Sequence, residues 1–276
     1  MTSFVGVVSS FHMDTTSAQL FNLKGKVAVV TGGAGMLGGE FMSILQGAGA
    51  IAVSIDMRLP TDATRKGVVA NITQKGEVIN AFDAIEKEHG TPTILINAAG
   101  RDIRPDADIR ETGPFEDYPE ESWDAVIDSH LKGALFVSQE FIRRNKKEKL
   151  GGSIVNISSH YGVVSPDQSV YEYRRQGGEP FYKPVAYSVA KSGMLNFTRW
   201  LAEYGAPLGI RVNTLVPGGV ENKQDEVFMA EYAKRTMLRR MAQKNEYNGA
   251  VLFLVSDASS YMTGSTLIVD GGWTAK

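Results

Sequence analysis

Seven short runs rich in β-branched residues recur along the chain and alternate with helical patterns: KVAVVT (26–31), AIAVSID (50–56), GVVA (67–70), TILIN (93–97), GSIVNIS (152–158), IRVNTL (210–215) and TLIVD (266–270). Several are apolar on both faces, as strands covered by helices on each side must be, and such alternation implies parallel βαβ units. The fold class expected is α/β: one doubly wound parallel sheet of about seven strands with helices on both faces. A chain of 276 residues is long enough to bury a substantial core.

Between the first two runs, Leu37, Phe41, Ile44, Leu45 and Ala48 form an apolar stripe at helical spacing that stops at Gly49. That is a crossover helix. Residues 122–144 are apolar more broadly, through Trp123, Val126, Ile127, Leu131, Phe136, Val137, Phe141 and Ile142. Such a helix packs the sheet on one side and either a second subunit or more of its own chain on the other.

Composition excludes several functions. The formal charge is -2, which supplies no basic field for nucleic acid or an anionic membrane. There is no cysteine, so disulfides, thiol nucleophiles and thiolate metal sites are absent, in keeping with a cytoplasmic protein. The four histidines are scattered without zinc-site spacing, and no metal is expected. Residues 1–22 lack the basic start and long apolar run of a signal peptide and read as an N-terminal tail before a domain spanning 23–276.

Doubly wound sheets bind ligands beyond the carboxyl ends of their strands. The residues there are TGGAGMLG (31–38), Asp56, NAAG (97–100), SSHYG (158–162) and VPGG (216–219). Residues 33–38 spell GxGxxG between the first strand and the first helix, where glycines allow a tight turn and bring backbone N–H groups and a helix N-terminus to a pyrophosphate. Asp56 ends the second strand 18 residues beyond Gly38 (56 minus 38), where a carboxylate accepts hydrogen bonds from the adenosine ribose and repels a 2′-phosphate. NAD is therefore expected in preference to NADP, with Arg58 two residues on as the feature pointing the other way.

In YKPVAYSVAK (182–191), Tyr187 and Lys191 are four apart and share a helix face, whereas Tyr182 and Lys183 are adjacent and precede Pro184. Alone, the first pair reads as an exposed tyrosine and lysine. The rest of the chain changes that reading.

TGGAGMLG, NAAG, SIVNISS (153–159), YSVAK (187–191), NTLVPGG (213–219) and TGSTLIVDGG (263–272), in this order, resemble the short-chain dehydrogenase/reductase family over residues 23–274. The resemblance implies a Rossmann-type fold, hydride transfer with a nicotinamide dinucleotide, and a homo-oligomer, a tetramer or a dimer. It implies Tyr187 as general acid/base, Lys191 as the lysine that holds the nicotinamide ribose and lowers the tyrosine's pKa, and Ser159 as the hydrogen-bond partner of the reacting oxygen. The cofactor-binding residues it implies are Gly32, Gly35, Met36, Leu37, Gly38, Asp56, Asn71, Ile72, Asn97, Ala98, Ala99, Tyr187, Lys191, Pro217, Gly218 and Val220. A free tyrosine has a pKa of about 10, so bringing it near neutrality requires roughly 4 kcal/mol of differential stabilisation of the anion. A lysine one helical turn away and a positive nicotinamide ring both act in that direction.

Three departures from the family pattern stand out. Met36 occupies a position where compact members carry glycine, which implies a modified phosphate turn. His130, in SHLKG, falls where the family has an active-site asparagine whose backbone carbonyl holds a water in a proton relay; the histidine is either a tolerated replacement or itself a proton carrier. Tyr187 lies 28 residues after Ser159 (187 minus 159), about twice the usual spacing, which marks residues 163–184 as an insertion beside the substrate pocket.

Within that insertion, Tyr171, Tyr173, Phe181 and Tyr182 are candidates for stacking on a sugar-like ring, and Arg174 and Arg175 for pairing with a carboxylate or phosphate; a surface loop or subunit contact is the plain alternative. Substrate contacts are expected from Ser159, Tyr161, Tyr187 and Arg174. The charged loop 101–119, with Arg101, Arg104 and Arg110, and the lid at 220–245 complete the variable surroundings.

The function expected is an NAD-dependent interconversion of a secondary alcohol and a ketone, with a sugar, polyol or sugar acid as substrate. The alternatives are a 3-oxoacyl-carrier reductase of the same family and a catalytically silent dinucleotide sensor or scaffold. Asp56 and the polar insertion speak against the first alternative, and intact Ser159, Tyr187 and Lys191 against the second.

Overall fold

The computed structural model describes residues 16–102 and 109–276. Residues 1–15 of the expected tail, and Arg104, lie outside the described residues.

Seven parallel strands form the sheet: β1 (Val27–Thr31), β2 (Ile51–Asp56), β3 (Lys66–Val69), β4 (Ile94–Asn97), β5 (Gly152–Ile157), β6 (Ile210–Pro217) and β7 (Thr266–Val269). Their order is β3-β2-β1-β4-β5-β6-β7, so the chain reverses direction across the sheet between β1 and β4. That switch point opens a crevice at the carboxyl ends, where ligands bind in folds of this type. The helices are α1 (Ser17–Leu20), α2 (Met36–Gly47), α3 (Lys75–His89), α4 (Glu120–Ile127), α5 (Gly133–Glu148), α6 (Glu172–Gln176), α7 (Val185–Gly205), α8 (Glu226–Arg235) and α9 (Asn248–Val255).

Alternate residues of each strand point to opposite faces. Val27 and Val29 of β1 join Val53, Leu95, Ile154 and Val212 beneath Phe82 and Ile85 of α3 and Phe141 of α5. Ala28 and Val30 join Ala52, Ile96 and Val155 beneath Phe41 and Leu45 of α2 and Leu254 of α9. Each large side chain buried in these layers contributes roughly 1.5–3 kcal/mol.

One expectation is corrected. The helix read as continuous over 122–144 is divided by a wider π turn at Asp128–Lys132, in which Gly133 N–H reaches back to the Asp128 carbonyl. Such turns insert an extra residue and re-aim the side chains they carry, and this one carries His130. At the end of the stretch read as a tail, Thr16 and Gln19 form a reciprocal capping box on α1, and Leu23, the first residue of the expected domain, is fully buried.

At the carboxyl edge, Thr31, Asn97, Asn156 and Thr214 stand in one row across β1, β4, β5 and β6. Thr31 Oγ1 accepts from the N–H groups of Ala98 and Ala99, both at 3.1 Å. Asn97 donates to Asn156 Oδ1 at 2.8 Å, and Asn156 donates to Thr198 of α7 at 2.8 Å. A buried network of this kind fixes the strand ends and the helix above them in one arrangement, with Asn97 Oδ1 left as its one unpartnered acceptor.

Candidate active site

The first wall is the turn 31–38. Gly32 takes φ +72° and donates its N–H to the Ile55 carbonyl at 2.9 Å, bending the chain out of β1. A Cβ on Gly38 would collide with the Gly32 carbonyl, so α2 approaches the turn as closely as only glycine permits. Gly35 caps α2 with extended backbone, Leu37 packs into the core, and Met36 is partly exposed beside them. Asp56 reaches back from β2 and accepts from Ala34 N–H at 3.1 Å. A tight glycine cradle, a helix N-terminus and a carboxylate at the neighbouring strand end are the parts that a dinucleotide's pyrophosphate and adenosine ribose require, and the residues present fit that group.

The other residues expected at the cofactor differ in the freedom of their side chains. Asn97 is locked in the buried network, and Ala98 and Ala99 present backbone bound to Thr31. The Asn71 side chain caps its own turn through Thr73, and Ile72 is buried in the core, so the Ile72 side chain is not available to a ligand. Pro217 ends β6, Gly218 N–H donates to the Val269 carbonyl at 2.9 Å, and Val220 bridges to Ala242 in the lid.

The second wall is built on β5 and α7. Ser159 follows β5, and its Oγ accepts from Tyr161 N–H at 3.2 Å. Pro184 starts α7, which puts Tyr187 in its first turn and Lys191 one turn later. Ser158 Oγ donates to the Lys191 carbonyl at 2.7 Å, pinning the helix to the end of β5. Lys191 is buried, its Nζ donates to the Ile157 carbonyl at 2.9 Å, and the ammonium lies 5.7 Å from the Tyr187 ring centre. Burial lowers the Lys191 pKa to about 8, while Asp102 acts the other way. The structure therefore brings Ser159, Tyr187 and Lys191 together.

The protein's own groups act on Tyr187 in both directions. Burial first, then Asp102, pushes the phenol up; Lys183 and a hydrogen bond with Ser159 pull it down, and the net direction is upward. His130 is buried against the same ring, with ring centres 5.8 Å apart and planes at 85°. Its Nε2 lies 2.9 Å from the Arg101 carbonyl and must donate to it, which leaves Nδ1 as a bare acceptor. Burial, then the Lys191 charge, depress the imidazole to about 3, so it is neutral at physiological pH.

Spacing alone did not identify two neighbours of this centre. Lys183, set aside as adjacent to Tyr182, places its Nζ 4.3 Å from the Tyr187 ring centre and 2.8 Å from Asp102 Oδ1. His160 Nδ1 lies 3.3 Å from the Pro217 carbonyl and 3.4 Å from Ser159 Oγ, bridging the serine to the end of β6.

The insertion at 163–184 packs against the lid. Tyr171 and Phe181 are buried with Tyr161, Tyr232 and Trp273 in one aromatic cluster, Tyr173 donates to Asp225 at 2.6 Å, and Arg235 pairs with Asp167 at 2.5 Å. The expected sugar-stacking roles of Tyr171 and Phe181 are thus corrected: Phe228 stacks on Tyr171 and the Arg174 guanidinium covers the face of Phe181. Arg174 forms two hydrogen bonds to Glu179, at 2.9 and 2.7 Å, with its guanidinium over Phe181, and Arg175 pairs with Glu172. Their carboxylate partners are already supplied, so the expected substrate contact from Arg174 is replaced by a role in holding the insertion together. Tyr161 is likewise a packing residue in the wall behind Ser159, its ring centre 4.0 Å from that of His160.

Among the described residues, no helix is long and apolar enough to cross a membrane. A family model described as enoyl-(acyl carrier protein) reductase matches residues 52–274. The D-arabinitol 2-dehydrogenase (ribulose-forming) of Scheffersomyces stipitis is 32% identical, with 98% of each chain covered. Among solved structures, a short-chain dehydrogenase from Leptospira borgpetersenii with bound NAD+ superposes with a TM-score of 0.82 at 33% identity, covering 92% of this chain and 94% of the other. A gluconate 5-dehydrogenase from Burkholderia cenocepacia in complex with NADP and tartrate gives 0.81 at 27% identity, covering 95% of this chain and all of its own. On the strength of the matched model, the relative aligned end to end and the shared sheet, the chain belongs to the short-chain dehydrogenase/reductase family of oxidoreductases.

Proposed function

We propose that the protein interconverts a secondary alcohol and a ketone on a polyhydroxy substrate, a polyol or a sugar acid, using NAD(H), with Tyr187 as general acid/base. The observation that carries this reading is the convergence of Ser159, Tyr187 and Lys191 beside a glycine cradle at the sheet's switch point. The substrate class is supported by the arabinitol and gluconate dehydrogenases to which the chain is similar. The preference for NAD is supported by Asp56, whose carboxylate stands at the end of β2 and repels a 2′-phosphate.

In the oxidative direction, Ser159 and Tyr187 hold the substrate hydroxyl between them. Tyr187 removes the hydroxyl proton as the C–H bond of the same carbon breaks, and Ser159 steadies the oxygen as it becomes a carbonyl. A nicotinamide held in the crevice would supply the hydride acceptor, and its positive charge would oppose the upward pressure that burial and Asp102 place on the phenol. Lys191 is placed to hold the ribose and to support the phenolate by charge. His130, neutral and fixed by Arg101, carries an acceptor and no charge, which favours the replacement reading over that of an ionising proton carrier.

We further infer one domain over residues 23–276 and a homo-oligomer, a dimer or a tetramer. Support for the latter comes from the exposed Trp200 and Tyr204, stacked on α7 with ring centres 5.6 Å apart, and from Leu135, exposed on α5. Light scattering at micromolar concentration reads this directly, and a monomer contradicts it. The reaction is tested by NADH formation with D-arabinitol, D-gluconate and related polyols and sugar acids. Turnover with NAD+ on at least one of them is expected, and cofactor binding with no turnover on any supports a sensor instead.

A further inference from the structure

Lys183 is held in place by the insertion. Its N–H donates to Gln168 Oε1 at 2.9 Å, its carbonyl accepts from Gln168 Nε2 at 3.4 Å, and Pro184 fixes the next φ. The side chain is only 11% exposed, yet its Nζ meets both the Tyr187 ring, 4.3 Å from its centre, and Asp102 Oδ1, 2.8 Å away. Burial, the largest single influence, pulls the ammonium toward neutrality, but Asp102 together with the Tyr187 and Tyr171 phenols outweighs it and the group stays charged. Asp102 is 60% exposed, so this pair opens outward beside the tyrosine. A cleft lined by Arg101, Asp102, Glu111, Tyr118, Pro184 and Tyr187 adjoins it.

Other cations of the neighbouring loop and of the insertion are paired as well. Arg101 donates to Glu111 at 2.5 Å, and the insertion's Arg174 and Arg175 face Glu179 and Glu172. Each of these cations, among the described residues, already faces a carboxylate. A substrate carboxylate approaching Lys183 meets Asp102 as well, and like charges brought together in a partly dry site are rejected. A hydroxyl both donates and accepts, so neighbouring hydroxyls find a donor in Lys183 and an acceptor in Asp102.

We propose that Lys183 and Asp102 form a charge-balanced donor–acceptor pair that binds the hydroxyls flanking the reacting carbon and selects neutral polyols and ketoses over sugar acids. This assignment rests on Tyr187 being the acid/base, and gives the insertion a function: Gln168 holds the specificity lysine against the reacting group.

The test measures kcat and KM with NAD+ on D-arabinitol, D-gluconate and 2-butanol for the wild type, Lys183→Met, Lys183→Arg and Asp102→Asn, with thermal melts to confirm folding. A hydrogen bond to a charged group is worth about 1.5–3 kcal/mol, so Lys183→Met should raise KM for D-arabinitol roughly 10- to 100-fold. On 2-butanol, which has no second hydroxyl, the same variant should leave KM almost unchanged while kcat falls on both substrates, because Lys183 also helps to lower Tyr187, and Lys183→Arg should recover part of the KM loss. Asp102→Asn leaves the ammonium unbalanced and should shift the preference toward D-gluconate by about tenfold. Equal changes in KM on D-arabinitol and 2-butanol would assign Lys183 to Tyr187 alone rather than to substrate and overturn the proposal. No change in any variant, or a wild type that prefers D-gluconate, overturns it too. Full turnover by Tyr187→Phe would instead remove the acid/base reading, a failure visible without any Lys183 variant.

Discussion

Lys191 donates from Nζ to the Ile157 carbonyl at 2.9 Å, and this bond sets the ammonium 5.7 Å from the centre of the Tyr187 ring, one helical turn away. The lysine is oriented by backbone that the sheet itself fixes. Lys191→Met should therefore lower kcat/KM by about 10² or more while leaving the fold intact, because a charge beside a developing phenolate is lost. Lys191→Arg, with a different donor geometry, should recover only part. Wild-type activity in Lys191→Met would exclude the lysine from the site's chemistry.

Two buried imidazoles make stability depend on acid. His130 is depressed to about 3 and His160 to about 4, burial being the first cause for each. The unfolded chain, with histidine near 6.5, binds more protons than the folded one between those values, so stability is fully present above about pH 6.5 and is lost as pH falls through that window. Thermal melts from pH 7 to pH 4 should show a falling Tm, less steep in His130→Asn and His160→Asn. Parallel slopes in wild type and variants would contradict the assignment. Because His130 is neutral, the pH–rate profiles of wild type and His130→Asn should coincide above pH 6; a lost limb in the variant would give the imidazole a direct part in proton transfer.

Asp56 is the cofactor discriminator. Its bond to Ala34 at 3.1 Å holds the carboxylate at the mouth of the glycine turn. Asp56→Asn should raise KM for NAD+ and move the NADP+ to NAD+ ratio of kcat/KM upward by about tenfold, since a repulsive charge and an acceptor are both removed. An unchanged ratio would assign discrimination elsewhere, with Arg58 the next residue to replace.

Away from the site, Arg144 joins α5 to α3 through Asp83 at 2.7 Å and Glu86 at 2.5 Å, and pairs with Glu140 on its own helix at 2.8 Å. Glu140 is almost fully buried. Losing a partner from a mostly buried ionic group is destabilising, and Arg143 remains beside Glu140, so Arg144→Met should lower Tm by a few degrees with KM for substrate unchanged. A melt matching the wild type would show that the network is dispensable.

Most of the architecture was legible because it is local: seven β-branched runs and one clear apolar stripe specify parallel units with a period that side-chain burial then enforces. All seven runs are strands, within a residue or two at each end. The π turn at 128–132 was not legible, since an extra residue in a helix leaves the apolar pattern almost intact. Ser159, Tyr187 and Lys191 were found by motif, but Lys183 was hidden. Its importance depends on Gln168 folding back to hold it, a contact across fifteen positions that no spacing rule reports. Arg174 was assigned outward because its partner, Glu179, lies beyond a turn that sequence periodicity does not resolve.

The most direct measurement of the central claim is the rate of NADH formation by Tyr187→Phe on a substrate that the wild type oxidises, with NADH binding followed in parallel by fluorescence. The phenyl ring keeps the packing against His130 and Lys183 and removes only the hydroxyl. A fall in kcat of about 10² to 10⁴ with cofactor affinity retained is the predicted result. Turnover within a few-fold of the wild type would show that the proton is handled by another group and contradict the account.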